Sequence, residues 1–240
     1  MSDQGGKGEK LVLIGDSGVG KTCIITRLTK NSFNANEIST TGGSFATKTI
    51  ELPTGETLDL NIWDTAGQER YKALTKIFFQ GAKLAILVYD ITRRDSYDHM
   101  KTEWLNVLNE HGDPDVIKAI AGNKSDLYDE EAVPEQEARE FAKSIGAIFA
   151  LTSAQNNSGI KELFQTLAKK FLHPEYDIYS TTEQNPNQEQ NNSDPKPNQE
   201  AKPNAEPKKD KKQKQEKKDE SGGNIKIGVN DVKIKKKSCC

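Results

Sequence analysis

Apolar runs alternate with helical patterns through the first two-thirds of this chain. Leu11-Val12-Leu13-Ile14 is a short continuous apolar run, the pattern of a strand buried on both faces. From Thr22 to Lys30 the apolar positions Ile24, Ile25 and Leu28 take helical spacing. Thr57 to Trp63 alternates instead, with Leu58, Leu60 and Ile62 on one side and Asp59 and Asn61 on the other, so a strand is predicted that ends at Asp64. Ile50-Glu51-Leu52-Pro53-Thr54-Gly55 supplies the turn signals of a hairpin leading into it. A buried strand over Leu84 to Asp90, a helix near Asp95 to His111 and an apolar strand run over Val116 to Ala121 come next. Pro134 suits the first turn of a helix running to Ser144. A short strand at Ala147 to Leu151 and a helix from Ser158 to Leu172 complete the series. Such alternation predicts a doubly wound α/β fold: a six-stranded, mostly parallel sheet with helices on both faces. Ligand loops then gather at the carboxyl ends of the strands.

The pattern stops at Pro174. Beyond it Gln, Asn, Pro, Lys, Glu and Ser dominate, and no apolar periodicity returns until Ile225. Such a segment buries too little surface to offset its ordering entropy, so it is expected to be disordered. The 240 residues therefore divide into a flexible N-terminus (1–8), one folded domain (9–173) and a disordered tail (174–240). As a flexible chain of roughly 65 residues the tail has an r.m.s. reach on the order of 45 Å. With 34 basic and 36 acidic residues the net charge nearly cancels, so global electrostatics selects no class of partner and nothing points to nucleic acid. Locally, Lys233, Lys235, Lys236 and Lys237 form a basic cluster, either an ordinary solvated run or one that favours anionic leaflets.

Three motifs sit in fixed order on this framework. Gly15, Asp16, Ser17, Gly18, Val19, Gly20, Lys21 and Thr22 fit G-x-x-x-x-G-K-[ST] between a strand and a helix. Glycines let the backbone curl so that several N–H groups face one phosphate, and the helix N-terminus adds to the attraction. Lys21 is placed to reach the β- and γ-phosphates and Thr22 to ligate Mg²⁺. In Asp64-Thr65-Ala66-Gly67 the carboxylate at a strand end suits a magnesium role, usually through water. Gly67 lets its N–H approach a γ-phosphate, and Gln68 stands where an amide could orient the attacking water. In Asn123-Lys124-Ser125-Asp126, Asp126 can accept both the ring N–H and the exocyclic amine of guanine, a pair adenine lacks. A site built for those bonds rejects a base that leaves them unmade. Lys124 is expected along the base and Asn123 as a brace for the loop. These residues imply GTP or GDP with Mg²⁺.

Over residues of roughly 8 to 173 the chain resembles the Ras-like small GTPases, and within them the Rab family, whose typical run appears as Trp63-Asp64-Thr65-Ala66-Gly67-Gln68-Glu69-Arg70. The resemblance implies that Phe33 stacks edge-on against guanine, that Thr40 binds Mg²⁺ and γ-phosphate in the GTP state, and that the Ala154 N–H in Thr152-Ser153-Ala154 meets the guanine oxygen. Ser153 and Gln155 flank that contact, and the backbone of Cys23, otherwise a small buried hydrophobe, lies near the α-phosphate. Phe45, Trp63 and Phe78 match the three aromatics that Rab effectors touch, although aromatics at strand ends also commonly just pack. Catalysis falls to Gln68 and Lys21, the metal to Thr22, Thr40 and Asp64. No Arg is an evident finger in cis, so hydrolysis is expected to be slow without a GAP. The stretch from Asn123 to Pro134 has no room for the extra helix of the Rho branch. Gln155 stands where the family usually has Lys and Leu151 where it often has Glu, so specificity for the base carries over further than affinity. Thr41-Gly42-Gly43-Ser44-Phe45 and Ile77-Phe78-Phe79-Gln80-Gly81 also depart from the usual switch sequences, which implies an unusual partner set.

Three cysteines are present, Cys23, Cys239 and Cys240, and they offer no disulfide framework, as fits a reducing cytosol. Cys239-Cys240 after a basic run does not fit C-a-a-X, but it matches the Rab ending that the resemblance implies is doubly geranylgeranylated. Two lipid chains plus basic residues anchor firmly where one is marginal. Ile225-Lys226-Ile227 and Val232-Lys233-Ile234 look like the aliphatic motif gripped by the Rab escort protein, or are a chance remnant. No signal peptide or spanning segment is visible, since the run from Leu84 to Tyr89 is far too short. The expectation is a monomeric switch on the cytosolic face of an intracellular membrane, leaning endosomal, that regulates vesicle trafficking. It cycles through the cytosol with an exchange factor, a GAP, escort protein, GDP-dissociation inhibitor and membrane effectors. A nucleotide-loaded scaffold whose turnover is irrelevant, or a soluble Ran-like carrier, remain alternatives. His99, His111 and His173 form no constellation in the sequence and are assigned no chemistry.

Overall fold

A computed structural model describes residues 8–35, 40, 43–65 and 78–180, all within one compact unit. Gly67, Gln68, Cys239, Cys240, the two aliphatic tail motifs, the lysine cluster and the expected disordered tail beyond 180 lie outside the described residues.

Six strands form one sheet: β1 (Glu9–Ile14), β2 (Ser44–Glu51), β3 (Thr57–Asp64), β4 (Leu84–Asp90), β5 (Ile117–Asn123) and β6 (Ile148–Thr152), in the order β2-β3-β1-β4-β5-β6. β2 and β3 pair antiparallel across the expected hairpin, and every other neighbouring pair is parallel. The continuous apolar runs of β1 and β4 follow from two-sided burial. Leu11, Leu13, Leu84, Ile86 and Val88 join one core, while Val12, Ile14, Ala85, Leu87 and Tyr89 join another on the opposite face. The helices α1 (Lys21–Lys30) and α5 (Ile160–Leu172) contribute Ile24, Leu163, Phe164 and Leu167 to the first core. Between β4 and β5 runs one continuous helical stretch: α2 (Arg94–His99), a π-helical turn (Met100–Trp104) and α3 (Leu105–His111). It covers the second core together with α4 (Glu135–Ser144).

The structure refines the sequence reading at three points. Pro134 precedes α4 as its cap residue, extended at ψ 134°, rather than lying in the first turn. A short 3₁₀ helix (Ser125–Glu130) fills part of the stretch between Asn123 and Pro134, tightened by Glu131 N–H donating to the Tyr128 carbonyl. The packed fold also runs on past His173. Tyr179 Oη donates to the Ala147 carbonyl at 2.9 Å and Ile178 packs on the core, because Tyr176, Ile178 and Tyr179 restore apolar surface after Pro174. No helix among the described residues is long and apolar enough to cross a membrane.

Candidate functional site

Strand register gathers the site. Asp64, Asp90, Asn123 and Thr152 are the last residues of β3, β4, β5 and β6, and Asp90, Asn123 and Thr152 stand side by side in the sheet. The loop from Gly15 to Gly20 leaves β1 at the same edge and opens α1 at Lys21. Two of its glycines cannot be replaced without displacement. Gly15 has φ +146°, and a Cβ there would lie 2.2 Å from the Val88 carbonyl oxygen. Gly20 has φ +94°, and a Cβ would lie 2.3 Å from Asn123 Nδ2.

Lys21 is buried, its Nζ donating to the carbonyls of Gly15 at 2.8 Å and Asp16 at 2.9 Å. Burial pushes its pKa down to about 8, against the opposing pull of Asp64 and Asp16. An ammonium so disposed is poorly compensated by neutral carbonyls and is suited to a polyanion. Beside it, Thr22 Oγ1 donates to Asp64 Oδ2 at 2.6 Å and meets Thr40 Oγ1 at 2.8 Å. Thr40 and Ser44 reach the same carboxylate oxygen at 3.3 and 3.4 Å. Asp64 Oδ1 is buried and has no partner among the described residues. Desolvation raises the Asp64 pKa, while the Thr22 bond and Lys21 oppose it. Two hydroxyls and a buried carboxylate with an unsatisfied oxygen are the hard oxygen donors that Mg²⁺ takes, so these residues fit that ion. No group of three His, Cys, Asp or Glu side chains suited to a metal exists among the described residues, which leaves this hydroxyl-rich set.

The neighbouring loop is tied to the first. Asn123 Nδ2 donates to the Val19 carbonyl at 2.8 Å, and its Oδ1 accepts from Thr152 Oγ1 at 3.1 Å. Asn123 thus joins the two loops through Val19 and Thr152. Asp126 Oδ1 accepts from Ser153 Oγ at 2.5 Å, which leaves its second oxygen available toward a base edge. Lys124 takes a left-handed conformation (φ +66°), and its Nζ pairs with Asp90 Oδ2 at 2.8 Å. Its ammonium is thus anchored on the last residue of β4, a contact the motif does not disclose. Ala154 is buried, and its carbonyl accepts from Arg27 Nε at 2.7 Å, while Gln155 is exposed and offers its carbonyl to Arg27 Nη2 at 3.1 Å. Support around this loop thus comes from an arginine of α1. Cys23 is buried in α1, and Phe33 packs partly buried against the first core.

Phe45, Trp63 and Phe78 do come together. Phe45 stacks edge-on against Trp63 at 5.3 Å between centroids, and Phe78 follows at 6.0 Å. Phe45 remains 55% exposed, whereas Trp63 packs partly buried against the second core, and Lys10 Nζ sits 4.9 Å from the Trp63 ring. Sequence reasoning missed Asp90, Arg27, Asp16 and His99. The first stands at a strand end, the one signal that could have marked it. His99, assigned no chemistry, pairs through Nδ1 with Asp16 Oδ2 at 2.8 Å.

A sequence profile of the Ras family matches residues 10–173. The chain is 47% identical over 158 residues to the Ras-related protein RGP2 of Oryza sativa subsp. japonica, which spans 66% of this chain and 72% of that protein. It is 46% identical over 162 residues to the Ras-related protein Rab-31 of Mus musculus and of Homo sapiens, 67% of this chain and 82% of each relative.

Proposed function

This chain belongs to the Ras family, as a Rab-like small GTPase, and from that premise we propose that it is a GTP-hydrolysing switch of the Rab type that regulates vesicle trafficking. The observation that carries the reading is the meeting of Thr40 with Thr22 and Asp64. A threonine from the segment between α1 and β2 reaches the residues that fit Mg²⁺ beside the buried Lys21, as a sensor of the terminal phosphate must.

On this reading the backbone of Gly15, Ser17, Gly18, Val19, Gly20 and Cys23 cradles the phosphates, and Lys21 reaches the β- and γ-phosphates. Asp126, Ser153, Ala154 and Gln155 read the guanine edge, with Phe33 and Lys124 against the base. Asn123 locks that loop to the cradle through Val19. Thr22, Thr40 and Asp64 hold Mg²⁺, which neutralises charge developing on the phosphate oxygens. Gln68 orients the attacking water, and Gly67 contacts the γ-phosphate. Loss of that phosphate removes partners from Thr40 and Gly67, so the surface around Phe45, Trp63 and Phe78 changes and effectors distinguish the two states. A GAP accelerates the reaction and an exchange factor releases GDP. We further assign prenyl lipids to Cys239 and Cys240, recognition of the tail by escort protein and GDP-dissociation inhibitor, and residence on the cytosolic face of an endosomal membrane. The resemblance of the tail and of the sequence through β4 supports these assignments.

The test is single-turnover hydrolysis of γ-labelled GTP by the full chain and by Gln68→Leu, with and without a Rab GAP domain. Slow release that the GAP accelerates and the substitution abolishes is the expected result. Tight binding with no release from either protein would refute the switch and favour a nucleotide-loaded scaffold.

A further inference from the structure

The phosphate loop is held from outside as well as from within. Asp16, its second residue, sends its two carboxylate oxygens to two different side chains of the helical stretch after β4. Oδ1 accepts from Trp104 Nε1 at 2.8 Å, and Oδ2 pairs with His99 Nδ1 at 2.8 Å. The main-chain carbonyl of the same residue accepts from Lys21 Nζ. The next carbonyl, that of Ser17, accepts from Arg93 Nη1 at 3.1 Å, and Arg93 is oriented in turn by Asp95.

Residues 99 and 104 should not share a target. Five positions along an α-helix turn through about 140° beyond one full circle, which places them on different faces. Here the π-helical turn over Met100–Trp104, with Leu105 N–H donating five residues back to the Met100 carbonyl, widens the helix and brings both side chains to one carboxylate. Such turns are rare and concentrate at functional sites.

We infer that His99 and Trp104 are positioning residues for the nucleotide: by holding both oxygens of Asp16 they fix the phosphate loop and slow nucleotide release. The inference rests on the guanine-nucleotide reading above. Trp104 is 4% exposed, so its bond is the better shielded of the two, whereas His99 is 47% exposed and its pairing is screened by water. His99 faces Asp16 from the loop, with Asp95 and Glu103 on its own helical stretch and Arg93 beside Asp16. The bond to Asp16 holds its pKa above the ordinary histidine value, against partial desolvation. The clamp is therefore complete below the ordinary value and loosens as pH rises through the raised one.

The full chain loaded with a fluorescent GDP analogue, chased with excess GDP at fixed Mg²⁺, gives the dissociation rate. Trp104→Phe, which keeps a buried ring and deletes the donor, is expected to speed release about tenfold. The wild-type rate should rise about two- to fivefold from about pH 6 to 8, and His99→Gln should flatten that rise. Each substitution should add little once Asp16→Ala has removed both acceptors. Should Trp104→Phe fail to fold, the pH profile of His99→Gln, an exposed position, carries the test. Rates within about twofold of wild type with an unchanged pH profile, or effects that add fully to Asp16→Ala, would overturn the inference while leaving the nucleotide reading intact. A wild-type chain that retains no guanine nucleotide would overturn both.

Discussion

Lys124 offers a test that separates the frame of the site from its chemistry. Its ammonium pairs with Asp90 Oδ2 at 2.8 Å, and the two side chains are 11% and 2% exposed. The other oxygen of Asp90 accepts from Thr92 N–H at 3.0 Å and Thr92 Oγ1 at 2.8 Å. Lys124→Met keeps the stem and removes the charge, leaving a buried carboxylate with two neutral donors on one oxygen and nothing on the other. Stranding one partner of a buried pair costs about 3–5 kcal/mol, and the retained Thr92 bonds place this case near about 3. In a domain of this size that lowers the melting temperature by about 6–12 °C. Asp90→Asn should cost less, about 1–2 kcal/mol, because the longer lysine can swing its head toward water. The double variant should fall short of the sum by about 1–3 kcal/mol. Thermal and urea unfolding of the nucleotide-free chain, followed by circular dichroism, measure all three. If Lys124→Met melts within about 2 °C of wild type and the double variant is additive, the pair carries no stability and Lys124 serves the base alone.

Four further outcomes are expected, at three residues. Asn123→Ala strands the Val19 carbonyl and the Thr152 hydroxyl and should cost about 2 kcal/mol in thermal unfolding, with a proportionally larger loss of nucleotide affinity because both loops lose their link. Lys21, depressed to about 8 by burial, is largely neutral in the empty site between that value and its ordinary pKa of 10.5, and phosphate should return it to the charged form. Guanine-nucleotide binding should then take up protons at about pH 9, seen as a dependence of calorimetric heat on buffer ionisation enthalpy that Lys21→Met abolishes. In the empty protein the same shift makes stability rise with pH across that window, since the unfolded chain binds the extra proton. Asp126→Asn exchanges one acceptor oxygen for a donor and should weaken GDP about 100-fold or more in competition assays, while a nucleotide whose base presents a carbonyl in place of the exocyclic amine gains.

What the sequence disclosed and what it hid divide along a physical line. Strands β1, β3 and β4 were legible because two-sided burial writes a continuous run and one-sided burial an alternating one. The phosphate loop was legible because few residues tolerate its backbone. Lys21, Thr22, Asp64 and Asn123 gather at one edge of the sheet, joined to the loop or to one another by hydrogen bonds. The Lys124–Asp90 and Asp16–His99 contacts were not legible, since each joins residues separated by 34 or 83 positions through register and helix rotation. The π-helical turn left no mark, because Met100 and Trp104 are buried like any residues of an amphipathic helix. The aromatic cluster was ambiguous because aromatics at strand ends commonly just pack, and its members divide: Trp63 packs against the second core while Phe45 stays exposed.

The distribution of bonds around the site bears on which half of it moves. On the base side, Asp90, Asn123 and Thr152 are adjacent in a parallel sheet. They are locked by a buried ion pair and by buried hydrogen bonds that reach back to Val19. Breaking any of these leaves a buried group unpaired, which costs far more than the bond contributes, so this half behaves as one rigid body. On the phosphate side the Thr40 hydroxyl meets the Thr22 hydroxyl at 2.8 Å and the Asp64 carboxylate at 3.3 Å, and both contacts are partly solvated. The first is a neutral bond that contributes about 1 kcal/mol. The second is long, and Asp64 Oδ2 keeps the Thr22 bond at 2.6 Å when Thr40 leaves, so water replaces both without stranding a buried group. Thr40 therefore stays only while further partners hold it, and it departs when they are lost. If this half reads the base, as we propose, a fixed reader beside a conditionally held threonine is the division of stiffness that a switch driven by one phosphate requires.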